Sequence, residues 1–464
     1  MLRIANLLKE NKELSEQITD LNKENQKLRD TKEHYEQILA QIPAEAIPKD
    51  VKPSVKKRHL RFKMATVLYI DIQGFHEIAR QKGSSKVIDE LDEIFFAFDE
   101  VVHKHNIQKI KTIGDTYMCA GGVPVKNITN PVDVVLAAME MREYLKSLKI
   151  RYENNGRQFW ALKMGIHTGS VTATVHGKKK LSYDIKGDTV NIASRIASAG
   201  ETGQINMSIM TNELVKEFFS CEYNGKIPVK YQGVMEVYKL KRLKPAFAED
   251  RKTGVVPSEI FNTKYKLRQF TDLQEFILDK LEKELPGDLH YHNVKHTIDV
   301  VNQVELIGYG EGVDDHSILL LKTAGLFHDA GHTINYDDHE YYGTQIARRI
   351  LPSYNYNEKE IERISGLIMS TKLPPQPRDL LERIMCDSDL DYLGRSDFIP
   401  VSNTLYEEMR AQGKIDSINE WNKIQLKFLS SHQFFTETAN KLREVNKQKQ
   451  IERIKKLIVD EVEN

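Results

Sequence analysis

The feature that most constrains this chain is a change of hydrophobic period near residue 242. Before it, apolar residues alternate between strand-like and helix-like runs; after it, only the helical period continues. Val67–Asp71 (VLYID) reads as a buried strand. Residues 86–104 place Val87, Ile88, Leu91, Ile94, Phe95, Phe98, Val101 and Val102 at helical spacing. IQKIKTI and TYMCAGG are short β-rich runs separated by Gly114-Asp115, a hairpin signal. A helix near 131–149 and a strand near 160–166 complete the order β-α-β-β-α-β. That order predicts an α+β, ferredoxin-like sheet with helices on one face. Residues 263–464 form an all-α domain. Pro245, Gly254 and Pro257 punctuate the linker between the two, residues 242–262.

A third period precedes both. Leu7, Leu14, Leu21, Leu28, Tyr35 and Ile42 recur every seven residues at d, with Ile4, Asn11, Ile18, Asn25, Lys32 and Leu39 at a. Leu at d with Ile and Asn at a favours a parallel two-stranded coiled coil over residues 1–42, because Asn side chains pair only in register. The alternative is one amphipathic helix lying on its own protein. Residues 43–63 read as a basic linker with three prolines.

Composition limits function. Lys+Arg and Asp+Glu are equal at 67, so the formal charge is zero, which argues against a protein that coats nucleic acid or anionic lipid. Cys119, Cys221 and Cys386 lie far apart, excluding a disulfide framework or zinc ribbon. There is no apolar run of about 18 residues, and the first residues do not resemble a signal peptide. The expectation is a soluble, cytoplasmic protein with no membrane insertion and no nucleic-acid partner.

Two constellations carry chemistry. In the middle region Asp71 closes the VLYID strand and Asp115 sits in the hairpin turn, so both carboxylates converge at one sheet edge. Oxygen-rich pairs of this kind suit Mg²⁺ or Mn²⁺, and Gly74 allows backbone amides to approach a polyphosphate. Read alone, an Asp after a strand is more often a cap. Asn191 and Arg195, four apart, share one helical face. In the C-terminal region His292 and His296 stand one helical turn apart, followed by His328-Asp329, His332, His339 and Asp389. A lone helical His is usually structural; this mixture of imidazoles and carboxylates suits Mn, Fe, Zn, Ni or Mg.

YIDIQGF, KTIGDTYM, MGIHTG and YDIKGDTVNIASR, in that order, closely resemble the class III nucleotidyl cyclases over residues 64–241. The resemblance implies two metal ions held by Asp71 and Asp115 with the carbonyl of Ile72, and substrate contacts from Gly74 and Phe75. It implies purine recognition by Lys111 and Asp184, a combination that suits adenine, where guanylate-specific relatives typically carry Glu and Cys. Asn191 would orient the ribose and Arg195 would stabilise charge on the α-phosphate. The activity implied is adenylate cyclase, making cyclic AMP and pyrophosphate from ATP in a homodimer whose metal aspartates and purine residues come from different copies. Gln232 stands where relatives often carry a triphosphate-binding Lys, with Lys230 as the candidate substitute, and His76 replaces the usual Ser or Thr.

Residues 263–450 resemble HD-superfamily phosphohydrolases, the H…HD…D pattern falling on His296, His328, Asp329 and Asp389. YHNVKH resembles the signature of cyclic nucleotide phosphodiesterases, which gives His292 the role of general acid and makes His332 and His339 candidates for a second metal or phosphate. One or two divalent metals are implied. HDAGH departs from the HDVDH of those enzymes, the domain is shorter, and no residue presents itself as their purine-binding Gln. Two further readings stand beside the leading one: a bifunctional cyclase and phosphodiesterase, or a cyclase whose HD domain senses without cutting.

Overall fold

The computed structural model describes residues 59–73, 84–155, 159, 161–176, 182–229 and 233–459. The heptad, Gly74, Phe75, His76, Lys230 and Gln232 lie outside the described residues.

The middle domain runs β1 (His59–Gln73), α1 (Ser84–Lys104), β2 (Gln108–Ile113), β3 (Thr116–Gly121), α2 (Asn130–Asn154), β4 (Ala161–His176), β5 (Ser182–Lys186), α3 (Asp188–Ala199), β6 (Ile205–Ser208), α4 (Ile209–Val215), β7 (Phe219–Val229) and β8 (Gly233–Leu243). The sheet order is β2-β3-β1-β4-β6-β8-β7, with β5 also paired to β4. Its first four strands are in the ferredoxin-like order. β4 pairs with β6 in parallel and every other pairing is antiparallel, so the sheet is mixed.

Alternation along β1 separates the two faces. Leu68, Ile70 and Ile72 enter a core with Ile94 and Phe98 of α1 and Val135 and Met139 of α2. Val67 points the other way, into a cluster with Met118, Val171, Ile185 and Ala193 of α3. The expectation of helices on one face is therefore corrected: α3 covers the second face. That helix follows the β-α-β-β-α-β unit, so the motif carried no information about it.

Both stretches read as linkers carry ordered, packed residues. His59–Lys63, read as linker, open β1, with Phe62 buried beneath basic neighbours. The charge density hid a strand whose inward residues are few. Residues 242–262 are not a free tether: Ala248 and Phe261 are buried, and the Phe218 ring packs at 4.8 Å from Phe261 and 5.3 Å from Phe247.

The C-terminal domain is helical among the described residues: α5 (Glu259–Glu284), α6 (Val294–Gly310), α7 (Asp315–Phe327), α8 (His339–Ile350), α9 (Glu358–Met369), α10 (Leu380–Asp389), α11 (Phe398–Ala411), α12 (Ile418–Ser431) and α13 (Glu437–Leu457). Ser258 caps α5 by accepting from the Phe261 amide. Nine residues of α7 between Ile318 and Phe327 are buried, making it the central rod of the core. α5 serves both domains. Phe270, Leu273, Ile277 and Leu281 pack into the helical core. Tyr265, Arg268 and Asp272 face the sheet domain: Tyr265 Oη donates to Asp133 Oδ1 at 2.6 Å, Arg268 to the Leu214 carbonyl at 2.8 Å, and the Ile128 amide to Asp272 at 2.9 Å. No described helix is long and apolar enough to cross a membrane.

Candidate functional site

In the sheet domain, β1 and β3 pair Asp71 with Thr116, immediately after the two-residue turn that holds Asp115. Gly114 supplies the turn's positive φ of 59°. The Ile72 amide donates to the Asp115 carbonyl at 3.1 Å, which fastens the turn to the end of β1 and brings both aspartates to one edge. The donors there are oxygens, the set that suits a hard divalent cation such as magnesium.

Lys111 and Asp184, far apart in sequence, meet: Lys111 Nζ donates to Asp184 Oδ1 at 2.8 Å, both side chains about one-third exposed. α3 carries Asn191 and Arg195 on its exposed side, while Thr189, Ile192, Ala193, Ile196 and Ala197 are buried. Arg195 Nη1 donates to the Pro228 carbonyl at the end of β7, at 3.1 Å.

The helical domain gathers its polar residues from five segments. Asn293 caps α6 by accepting from the Lys295 and His296 amides, which orients the first turn and His296 with it. His328 and Asp329 follow α7, His332 lies in the single turn Ala330–Thr333, His339 opens α8 and Asp389 closes α10. His296 Nε2 lies 3.1 Å from Asp389 Oδ1, 3.4 Å from Asp329 Oδ2 and 3.3 Å from His328 Nε2. His328 Nδ1 is 2.8 Å from the Gly325 carbonyl. Only a protonated Nδ1 can donate there, which leaves the Nε2 lone pair facing the cluster.

A second group of nitrogens lies on the other oxygen of Asp329. His339 Nε2 is 3.7 Å and His332 Nε2 3.9 Å from Asp329 Oδ1, and the two rings stack at 3.9 Å. His339 Nδ1 meets the Tyr336 carbonyl at 3.0 Å, so its Nε2 also presents a lone pair. Neither nitrogen of buried His332 has a hydrogen-bond partner among the described residues, and burial lowers its pKa to about 3. Buried imidazole nitrogens gathered around a carboxylate form a donor set that could hold a divalent cation. The residues therefore fit metal on both sides of Asp329.

His292 is held differently. Its Nδ1 hydrogen-bonds Glu408 Oε1, while Glu408 Oε2 accepts from the amides of Tyr291 at 2.9 Å and His292 at 3.0 Å. Tyr336 Oη donates to Glu408 Oε1 at 3.1 Å. Burial opposes charge on His292, but Asp329 and Glu408 outweigh it and raise its pKa. Burial would likewise raise Glu408, yet its bonds to His292 bring it down to about 2. A cavity of about 310 Å³ adjoins His292, His339 and Asp389, walled by Phe398, Met409, Trp421, Gln425 and Phe428.

Comparison with known proteins decides what these arrangements belong to. Residues 58–242 match the adenylate and guanylate cyclase catalytic domain family, and residues 293–391 match the HD domain family. The chain carries a class III cyclase domain and an HD domain. An adenylate cyclase of Mycobacterium tuberculosis is 34% identical over 197 residues, which is 42% of this chain and 44% of that relative. The receptor-type guanylate cyclase gcy-23 of Caenorhabditis elegans is 31% identical over 207 residues, 44% of this chain and 19% of the relative. The chain thus spans less than half the length of these curated relatives. Among solved structures, the adenylyl cyclase CyaB from P. aeruginosa is 29% identical, with 39% of this chain and 95% of that one covered and a TM-score of 0.37.

The cyclase domain brings together Asp71 with Asp115 and Lys111 with Asp184, while Asn191 and Arg195 lie on the exposed side of α3. The HD domain brings all of His292, His296, His328, Asp329, His332, His339 and Asp389 to one centre. Sequence reasoning missed Glu408, Tyr336 and Gln425. Glu408 is buried on α11 with Phe398, Ser402 and Tyr406, a set whose spacing does not mark the carboxylate in the sequence. Tyr336 and Gln425 belong to no motif.

Proposed function

We propose that the chain is an adenylate cyclase that converts ATP to 3′,5′-cyclic AMP and pyrophosphate, with an HD domain that hydrolyses a phosphoester. The observation that carries the choice of ATP is the Lys111–Asp184 pair. A Lys donates to adenine N1 and an Asp accepts from the exocyclic amine; guanine presents the opposite pattern at both places. Asn191 orients the ribose. Arg195 leaves the Pro228 carbonyl to neutralise the α-phosphate as the ribose 3′-oxygen bonds to phosphorus and the bond to pyrophosphate breaks. Two magnesium or manganese ions, held by Asp71, Asp115 and the Ile72 carbonyl, would lower the pKa of the attacking hydroxyl and neutralise phosphate charge. Gly74, Phe75 and Lys230 complete the substrate contacts. The resemblance to class III cyclases implies a homodimer in which the aspartate edge of one copy and the exposed side of α3 of the other share each site, helped by the N-terminal heptad. Full-length chain incubated with ATP or GTP and Mg²⁺ or Mn²⁺, with products separated by chromatography, tests the reading; conversion of GTP alone overturns it.

In the HD domain, His296, His328, Asp329 and Asp389 would hold one divalent metal and Asp329, His332 and His339 a second, together supplying an activated water. His292, kept protonated by Glu408, would give its proton to the leaving oxygen. A second reading, that cyclic AMP itself is cleaved, is favoured by the cavity beside His292, whose aromatic walls and Gln425 amide suit a purine. A sensor that does not cut has no use for a buried His292–Glu408 pair.

A further inference from the structure

Gly165 and Gly169 stand four residues apart on β4, hence on one face of the sheet. α3 lies against that face. A Cβ on Gly165 would sit 2.2 Å from the Ala193 carbonyl oxygen and 2.3 Å from the Ala197 amide nitrogen; one on Gly169 would sit 2.7 Å from Thr189 Oγ1. Thr189, Ala193 and Ala197 repeat every four residues and form the inner stripe of α3. Thr189 Oγ1 donates to the Ser170 carbonyl at 2.7 Å, so the atom that a side chain at 169 would meet is fixed. The helix is seated in a notch cut by two missing side chains and bolted at its first turn by one hydroxyl.

We propose that Gly169 and Thr189 are positioning residues that set the depth of α3 on β4, and through it the placement of Asn191 and Arg195 for turnover. The proposal rests on the reading of α3 as the carrier of the ribose and α-phosphate contacts. A helix is stiff and its packing close, so a clash on the inner stripe moves the outer face with it. Displacement of about an ångström at a charge-stabilising group costs about 10²-fold in rate. Lys111 and Asp184 sit on β2 and β5, off this helix, so ATP recognition is spared.

Full-length G169A, T189A, the double variant and R195A, assayed with ATP and Mn²⁺ alongside melting curves, test this. The expected result is a kcat for G169A about 10²-fold below wild type with KM for ATP near the wild-type value. T189A alone should lose about tenfold or less, the worth of one buried hydrogen bond. The double variant should regain much of the G169A loss, because removal of Oγ1 leaves His167 Nε2, at 3.4 Å, as the nearest atom. Wild-type kcat in G169A, or a folded double variant no faster than G169A, overturns the proposal. Should G169A fail to fold, the double variant decides alone: folded and active supports the seat, folded and inactive overturns it. R195A separates the two layers. Full turnover in R195A sinks the reading of α3 itself, whereas an inactive R195A beside a fully active G169A sinks only the seat.

Discussion

Lys111 Nζ and Asp184 Oδ1 lie 2.8 Å apart across 73 residues of sequence, joining the edge strand β2 to β5. The two opposite charges satisfy each other, and on the proposed reading of this pair as the base-recognition site a purine would insert its own donor and acceptor between them. Only a base with an acceptor where Lys111 donates and a donor where Asp184 accepts replaces both halves of that bond.

The first prediction follows from this pair. K111E combined with D184C should lower kcat/KM for ATP by about 10–10²-fold, the range for charged hydrogen bonds, and raise the rate with GTP. Product analysis with both nucleotides reads the outcome. An unchanged ATP preference would remove the pair from base recognition.

The second concerns shared sites. D71A and R195A should each be nearly inactive as homodimers, R195A by about 10²–10³-fold. Co-expressed with different tags and isolated as a heterodimer, they should recover activity at one site of the two, because one copy keeps the aspartates and the other keeps the arginine. Isolated heterodimers without activity would show that each chain uses its own groups.

The third separates metal holding from proton delivery in the HD domain. D329A should lose bound metal, measured by elemental analysis, because Asp329 presents one oxygen to each cluster of imidazoles. E408Q should keep its metal yet lose about 10²-fold or more in phosphodiester hydrolysis, because a neutral amide no longer holds the proton on His292. Chelation should lower the melting temperature of wild type more than that of D329A, since the ion binds the folded state.

How much of this was legible beforehand depended on whether a residue's role was written locally. Asp71, Asp115, His328 and Asp389 lie at or within two residues of the ends of elements whose periods are visible, so their placement could be anticipated. The first four strands of the sheet were legible for the same reason. α3's place on the second face was not, because nothing in its sequence says which face its apolar stripe meets; Gly165 does, but only once β4 is known to be its partner. Glu408 was hidden by distance: it reaches His292 across 116 residues, and a helix with one inward carboxylate looks like an ordinary surface helix until its partner is placed. The packing of the two linker stretches was not legible because Phe62, Ala248 and Phe261 are isolated apolar residues among charges and prolines, too few to produce a period.

The last prediction concerns the junction between the domains. Asp133 is 5% exposed and accepts from Tyr265 Oη at 2.6 Å, Asn127 Nδ2 at 2.9 Å and Thr129 Oγ1 at 3.1 Å. Burial outweighs those bonds and raises its pKa to about 7, with nearby Asp272 adding to the rise. An unfolded Asp titrates near 3.9. Below that pH both states are protonated; between there and about 7 only the folded chain keeps the proton, so stability falls as pH rises through the window and levels off above it. The full effect is about 4 kcal/mol at most. D133N cannot ionise, so the melting temperature of the variant relative to wild type should climb between pH 5 and pH 8. Y265F, which removes a donor to the carboxylate, should lower stability, and more so at pH 8 than at pH 5, where the protonated acid needs fewer donors. A D133N difference that stays constant across that range would mean Asp133 is ionised throughout, held by its three donors despite its burial.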